Sequence, residues 1–136
     1  MKTINPYIAF NGRCREAMKF YQQCFGGELE LGEVKNAPHG SWENIEPDKI
    51  LHSSLTLNGV PLLMGSDMLD QSGYVKGNQV ALAVGCSSEQ DIRRLFELLS
   101  EKGKVLQPLK QEFWGGLFGS LEDQYGLKWF LNYESK

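Results

Sequence analysis

The chain has 136 residues, of which 41% are hydrophobic and 23% charged, and this composition is typical of a soluble globular protein about one domain long. Fourteen Lys and Arg residues against 17 Asp and Glu give a net charge of -3, and no basic run could neutralise several phosphates. Asn5 and Pro6 interrupt the N-terminal segment where a signal peptide needs an apolar run, and the longest apolar stretches are strand-sized. We therefore expect neither nucleic acid nor a membrane as a partner. Three cysteines without a CxxC pair favour a cytoplasmic location.

The first predicted elements are a short strand and a helix. Residues 4–10 are apolar except for Asn5, and Pro6 places this strand at a sheet edge or at the strand start. In the next segment, apolar residues recur at spacings of three and four, which predicts a helix near residues 13–25. Asn11 is its predicted N-cap, and the glycines at 26–27 end it.

Three strands and a long loop complete the first half of the chain. Residues 28–31 alternate between charged and apolar, which predicts a half-buried strand, and the loop 36–48 follows. The runs 50–57 and 60–66 are predicted to form a hairpin, because Asn58-Gly59 is a strong turn signal.

The second half repeats this order of elements. A strand is predicted over residues 79–86, and Ser87 with Gln90 forms a capping-box pattern before a helix near residues 88–102. Gly27, which ends the first predicted helix, and Gly103, which ends the second, are 76 residues apart. This constant offset indicates an internal duplication. The remaining strands are predicted at residues 104–109, 113–121 and 127–133.

Several sequence blocks occur in a fixed order along nearly the whole chain. They are PYIAF at 6–10, AMKFYQQCFGG at 17–27, DKILHSSL at 48–55, LMGSD at 63–67, FWGGLFG at 113–119 and DQYGLKWFLN at 123–132. Together with the βαβββ-βαβββ order, these blocks resemble the PhnB-like branch of the vicinal oxygen chelate (glyoxalase/bleomycin resistance/extradiol dioxygenase) superfamily. The resemblance implies one α+β domain over residues 1–136. In it, two βαβββ modules, about 1–68 and 76–136, form a curved, cup-shaped mixed sheet.

The resemblance also indicates where the metalloenzymes of this superfamily hold their metal. The equivalent positions in this chain are Pro6, Met64, Gln79 and Phe130. Pro and Phe cannot donate to a metal, and a thioether and an amide are poor ligands for a hard divalent cation. We therefore expect no metal at this position, and no other cofactor.

These positions predict the lining of a site for a small, largely apolar organic ligand. Met64 and Phe130 would supply apolar surface and Gln79 one orienting polar contact, while Trp42 in the long loop would belong to a lid. Alternatively, the cup is filled by its own side chains and takes no ligand. With the neighbours that strand alternation adds and one aromatic wall, the predicted lining is Met64, Ser66, Gln79, Ala81, Trp114 and Phe130.

His52 and Asp67 are further polar candidates near the cup. Uninterrupted pairing through the hairpin turn sets Ser53 opposite Met64 and turns His52 away from the cup, so that a structural role is favoured unless a bulge reverses the parity. Facing inward, His52 would accept a proton or donate a hydrogen bond. For Asp67, after a strand end, a turn-capping role is the alternative to a site at the cup rim.

Two classes of function remain open at this point. One is a small-molecule binder of the bleomycin-resistance kind, and the other is a lyase, isomerase or dioxygenase-type enzyme with a non-standard site. The missing metal ligands favour binding. Proteins of this branch often carry the name of a ubiquinone methyltransferase, but the sequence lacks the glycine-rich turn after the first strand that cofactor-binding methyltransferases normally have. The resemblance further implies a homodimer.

Overall fold

The computed structural model describes residues 2–37, 45–67 and 73–134. Within these residues the α+β class and the repeated strand-helix-three-strand order are confirmed. The chain divides into two compact units, Met1–Tyr74 and Val75–Lys136. The first unit contains β1 (Tyr7–Ala9), α1 (Cys14–Phe25), β2 (Glu28–Glu33), a 3-10 turn (Val34–Asn36), β3 (Ile50–Leu57) and β4 (Val60–Ser66). The second contains β5 (Leu82–Gly85), α2 (Glu89–Ser100), β6 (Lys104–Gln111), β7 (Leu117–Glu122) and β8 (Lys128–Tyr133).

The first unit is a four-stranded mixed sheet with α1 packed on one face. Its strand order is β1-β4-β3-β2, in which β1 runs parallel to β4 and the other pairs are antiparallel. The core lies between helix and sheet, where Gly65 lacks the side chain that would collide with the ring of Phe10. The buried apolar residues at this interface include Cys14, Ala17, Met18, Tyr21, Cys24, Leu55 and Leu63.

The N-terminus of α1 is capped from a distant part of the sequence. The prediction of Asn11 as the N-cap is wrong. Asn11 with φ of 50° and Gly12 with φ of 96° form a tight turn before the helix. The residue that precedes the helix is Arg13, which makes no side-chain cap hydrogen bond. Instead, Oδ1 of Asp67 accepts the N–H of Cys14 over 2.9 Å.

The β3–β4 hairpin contains a bulge that changes the predicted register. The turn residue Asn58 adopts the left-handed conformation expected for this turn, with φ of 52°, and Leu57 pairs with Val60. The register then shifts between Leu55 and Thr56, so that Ser54 stands opposite Met64. The predicted pairing of Ser53 with Met64 is therefore wrong, because one extra residue in β4 takes up the difference.

The second unit is also a four-stranded mixed sheet covered on one face by its helix. The strand order is β5-β8-β7-β6, with β5 parallel to β8. Gly119 in β7 lets the ring of Phe96 from α2 approach, since a Cβ there would lie 2.8 Å from the ring. The buried residues of this core include Ile92, Leu95, Phe96, Leu99, Leu117, Leu121, Trp129 and Leu131.

The cap of α2 lies one residue after the predicted position. Ser88, not Ser87, is the N-cap, and its hydroxyl accepts the N–H of Asp91 over 3.0 Å. Asp91 in turn accepts the N–H of Ser87, the residue before the N-cap, over 3.4 Å, so Asp91 rather than Gln90 is the acidic or amide residue that contacts the cap region.

Two predicted strands begin later than expected. β5 begins at Leu82, which leaves Gln79 and Ala81 before the strand. β7 begins at Leu117, because residues 112–116 form a turn closed by backbone hydrogen bonds between Glu112 and the glycines at 115 and 116. Neither helix within the described ranges is long and apolar enough to cross a membrane.

Candidate functional site

The helix-free face of the first sheet, opposite α1, carries a row of four side chains. Tyr7 is registered beside Met64, Met64 beside Ser54, and Ser54 beside Glu30. Cross-strand partners project from the same face of a sheet, so the row follows from the register alone. His52, two residues before Ser54 in β3, also projects from this face.

Tyr7 and His52 contact each other on this face. The Tyr7 hydroxyl lies 3.1 Å from Nδ1 of His52, within hydrogen-bond distance, and the ring centroids are 5.7 Å apart. Tyr7 is 51% exposed and His52 is exposed as well. The expectation that His52 projects from the face opposite Met64 is therefore wrong. The bulge in β4 shifts the pairing by one residue, so that His52 and Met64 project from the same face.

Ser66 and Asp67, at the end of β4, use their side chains to hold backbone groups. Ser66 is 3% exposed, and its hydroxyl donates to the carbonyl of Leu51 over 3.0 Å. Asp67 accepts the N–H of Ile50 over 3.0 Å with Oδ2, in addition to the α1 cap at Oδ1. The carboxylate of Asp67 thus links β3 to the start of α1. Of the two roles that the sequence left open for Asp67, this contact corresponds to capping of backbone groups.

The helix-free face of the second sheet carries the equivalent row. Ala83 is registered beside Phe130, Phe130 beside Ser120, and Ser120 beside Gln107. The Ser120 hydroxyl donates to Oε1 of Gln107 over 3.0 Å. Phe130 is 39% exposed, and its ring meets that of Phe118 edge to face with centroids 5.8 Å apart.

Strand order relates the two rows position by position. Met64 and Phe130, which the resemblance placed at metal-ligand positions of the superfamily, both occupy the last strand of their unit. The residues registered beside them are Tyr7 and Ala83, whereas the sequence pointed to Pro6 and to Gln79. Phe118 was outside the predicted lining. Phe118 lies two residues before Ser120 in β7 and therefore projects from the same face. Strand alternation counted back from Ser120 would have identified it.

The other predicted lining residues lie away from these rows. Gln79 is exposed and, like Ala81, precedes β5. Trp114 is 47% exposed in the turn between β6 and β7, where its ring meets that of Phe113 at a centroid distance of 5.1 Å. Its predicted position within a strand is wrong, because that strand starts three residues later. Trp42 lies outside the described residues.

A cavity of about 270 Å³ opens on the helix side of the second sheet. Polar groups dominate its lining, and Arg93 Nε lies 3.0 Å from Glu89 Oε2 in an ion pair at its edge. The two charges compensate each other, so the cavity offers no net charge to a ligand. Other lining residues are Leu109, Gln111, Gly115, Gly116, Leu117 and Tyr133.

Two thiols are held in their protonated form. Burial raises the pKa of Cys14 from 9.0 to about 11, although a hydrogen bond with Ser53 partly opposes this rise. Burial also raises the pKa of Cys86 to about 11. Because the thiolate is the reactive species, neither side chain is activated as a nucleophile near neutral pH. Within residues 2–37, 45–67 and 73–134, no three His, Cys, Asp or Glu side chains converge as metal ligands.

Comparisons with known proteins identify relatives along the whole chain. A family model described as 3-demethylubiquinone-9 3-methyltransferase matches residues 2–132. Protein YjdN of Escherichia coli (strain K12) is 28% identical over 139 residues, which cover 95% of this chain and 93% of that protein. The crystal structure of protein PA1353 from Pseudomonas aeruginosa is 34% identical, with a TM-score of 0.87 and 100% of both chains covered.

Two further solved structures extend the comparison. A putative 3-demethylubiquinone-9 3-methyltransferase, PhnB protein, from Bacillus cereus is 27% identical, with a TM-score of 0.75 over 97% of this chain and 99% of that one. A glyoxalase/bleomycin resistance protein/dioxygenase family enzyme from Burkholderia phytofirmans PsJN is 13% identical, with a TM-score of 0.61 over 97% and 96% of the two chains. At that identity the likeness concerns the fold alone.

Proposed function

The chain belongs to the 3-demethylubiquinone-9 3-methyltransferase family, and we propose that this member is a small-molecule-binding protein whose ligand is largely apolar. The resemblance to the PhnB-like branch of the vicinal oxygen chelate superfamily is confirmed. Superfamily membership does not fix an activity, because sites diverge on a shared fold. The proposal therefore depends on the side chains of this chain.

One observation carries the proposal: a partly exposed aromatic pair lies beside a hydrogen-bonded polar pair. Phe130 and Phe118 present ring faces and edges on the helix-free face of the second sheet. Beside them, the buried Ser120 hydroxyl donates to the exposed side-chain amide of Gln107, and this fixed amide is the polar group that a ligand meets. An apolar surface with a few fixed polar groups is the usual composition of a small-molecule site.

The methyl transfer named by the family description is not part of this proposal. A methyltransferase cofactor site of the doubly wound type needs a parallel sheet with a glycine-rich turn after its first strand. Among the described residues, each sheet has a single parallel strand pair, and β1 is followed by Phe10, Asn11 and Gly12. These residues do not fit such a cofactor site, and we assign no methyl-transfer step to this chain.

A flat aromatic probe tests the proposal directly. We expect 2-naphthol to shift the NMR signals of the Phe118 and Phe130 rings and to raise the melting temperature, because a ligand that binds only the native state stabilises it. Decahydro-2-naphthol, which keeps the hydroxyl and loses the flat ring, should have a much smaller effect.

The matched variants are Phe130→Ala and Phe113→Ala. Phe113 is 95% exposed in the turn between β6 and β7, so its replacement makes the same chemical change outside the row. Phe130→Ala should abolish most of the response to 2-naphthol, and Phe113→Ala should retain it. Equal responses of the two variants, or the absence of any response of the native protein, would contradict the proposed site.

A further inference from the structure

We propose that Tyr7 and His52 form a proton-transfer site on the helix-free face of the first sheet, for a small molecule with a weakly acidic hydroxyl group of the phenol or enol type. This site goes beyond the apolar site proposed on the second sheet and uses none of its residues. The proposal adds a proton-transfer activity to the proposed binding of a small molecule.

The first step of the argument is the fixed geometry of the pair. Tyr7 belongs to β1 and His52 to β3, and β4 lies between these strands. The tyrosine side chain reaches across β4 to place its hydroxyl 3.1 Å from Nδ1 of His52. Within the described parts of the chain, Tyr7 is the hydrogen-bond partner of the imidazole. Nδ1 is therefore occupied, and Nε2 is the nitrogen that faces a ligand.

The second step is the space beside the imidazole. On one side, His52 is registered opposite Gly32, which has no side chain. On the other side, the neighbouring strand carries Ser66, whose hydroxyl is turned to the carbonyl of Leu51. Beyond it, Ala9 is registered beside Ser66. Small side chains flank the exposed imidazole on both sides, which favours access of a ligand to Nε2.

The third step is the chemistry that this arrangement supports. With the imidazole proton on Nδ1, that N–H donates to the Tyr7 oxygen and Nε2 presents a lone pair. The ligand O–H bond then breaks, its electron pair stays on the ligand oxygen, and the proton forms a new bond to Nε2. The products are an imidazolium and a ligand oxyanion, and no other reactant is needed.

Among the residues that the structure describes, the charged side chains that the strand register places beside the pair come from β2. Besides Tyr7 and His52, the titratable side chains that the register places on this face are Glu28 and Glu30 of β2. Met64 and Ser54, the remaining members of the row, are neutral. Tyr7 is a positioning residue in this scheme, because its hydroxyl holds Nδ1, and His52 is the proton acceptor in the tautomer that carries its proton on Nδ1.

The probe for this site is 4-nitrophenol, whose phenolate absorbs visible light. At about pH 6.8, where a free imidazole is mostly neutral and free 4-nitrophenol is mostly protonated, we expect the full native chain to increase the phenolate absorbance. The ¹⁵N signals of the His52 ring should move at the same time to imidazolium values. The methyl ether, 4-nitroanisole, has no acidic proton and should leave the His52 ring nitrogens at their unliganded shifts.

Three variants separate the roles of the two residues. His52→Gln should abolish the phenolate absorbance, and Tyr7→Phe should change the ratio of the two His52 tautomers, read from the ring ¹⁵N shifts without probe. Tyr74→Phe, which removes an exposed hydroxyl elsewhere, should match the native chain. The proposal is overturned if the native chain gives no phenolate signal at millimolar probe, or if His52→Gln gives the native signal. The Phe130→Ala variant should retain the signal, which separates this site from that of the second sheet.

Discussion

The carboxylate of Asp67 caps a helix that begins 53 residues earlier, by accepting the N–H of Cys14 over 2.9 Å. The same carboxylate accepts the N–H of Ile50 at the start of β3 over 3.0 Å. One side chain therefore satisfies two backbone donors that belong to different elements. This relationship explains why α1 forms without a capping side chain at Arg13.

Asp67→Ala is expected to lower the free energy of unfolding by about 2 kcal/mol, because it removes a helix cap and leaves two backbone donors without their acceptor. Urea denaturation followed by circular dichroism measures the change. Asp48→Ala, which removes an exposed carboxylate from the same unit, is the control and should cost less than about 0.5 kcal/mol. Equal losses in the two variants would show that the cap is not significant for stability.

The buried thiol of Cys14 predicts a loss of stability at alkaline pH. Its pKa is raised from 9.0 to about 11 in the folded chain, so the native state holds the proton more tightly than the unfolded state. The contribution of this group to stability is complete below pH 9 and is lost as the pH rises from about 9 to about 11. The free energy of unfolding of the native chain should fall over this interval.

Cys14→Ala isolates the contribution of this thiol, since the other titrating groups, including Cys86, are common to both proteins. We expect the variant to be less stable at neutral pH, because it loses a packed sulfur, and to show a shallower decline of the free energy of unfolding above pH 9. Denaturant titrations at a series of pH values measure both slopes. Parallel slopes would mean that Cys14 does not titrate differently in the folded and unfolded states.

The edge strand β6 supports the expectation of a homodimer. Within the described residues, β6 pairs on one side only, with β7, and it exposes Val105 at 45% and Leu106 at 41%. Pro108 and the two lysines of β6 disfavour strand pairing at this edge, so we expect the exposed apolar side chains to form the contact between copies. Light scattering at micromolar concentration should give about twice the mass of 15.4 kDa.

Leu106→Lys should shift this equilibrium to the monomer, because it places a charge on the exposed edge. Val60→Lys is the matched control, since Val60 is 60% exposed beside the hairpin turn of the first unit. A native chain that scatters as a monomer would refute the homodimer. A dimer that persists in Leu106→Lys would place its interface elsewhere.

Local signals predicted the two helices and the fold class, whereas the exact faces of the strands depended on contacts distant in sequence. The glycines after Phe25 and the periodic apolar residues of α1 and α2 are read directly from short windows. The bulge opposite Leu55 carries no comparable signal, because it depends on how β4 fits between β1 and β3. The cap of α1 by Asp67 is equally invisible to a search for a capping residue next to the helix.

The residues of the candidate site also differ in how far the sequence could place them. Met64 and Phe130 lie at equivalent points of the last strand of each unit, as the resemblance implied, and their role in a site stays a prediction. The sequence pattern extended the fifth strand back to residue 79, whereas β5 starts at Leu82. Gln79 therefore lies outside the strand on whose face it was expected. His52 was placed on the wrong face by a single unpaired residue of the neighbouring strand.

The bulge in β4 also determines how the hairpin responds to changes in length. Pro61 pairs with Thr56 and Leu63 with Leu55, so Leu62 is the residue without a partner in β3. Deletion of Leu62 would keep every existing cross-strand pair, and His52 would remain on the face of Met64. A single-residue deletion that arises during divergence can therefore be absorbed at this point without exchanging the two faces of the sheet.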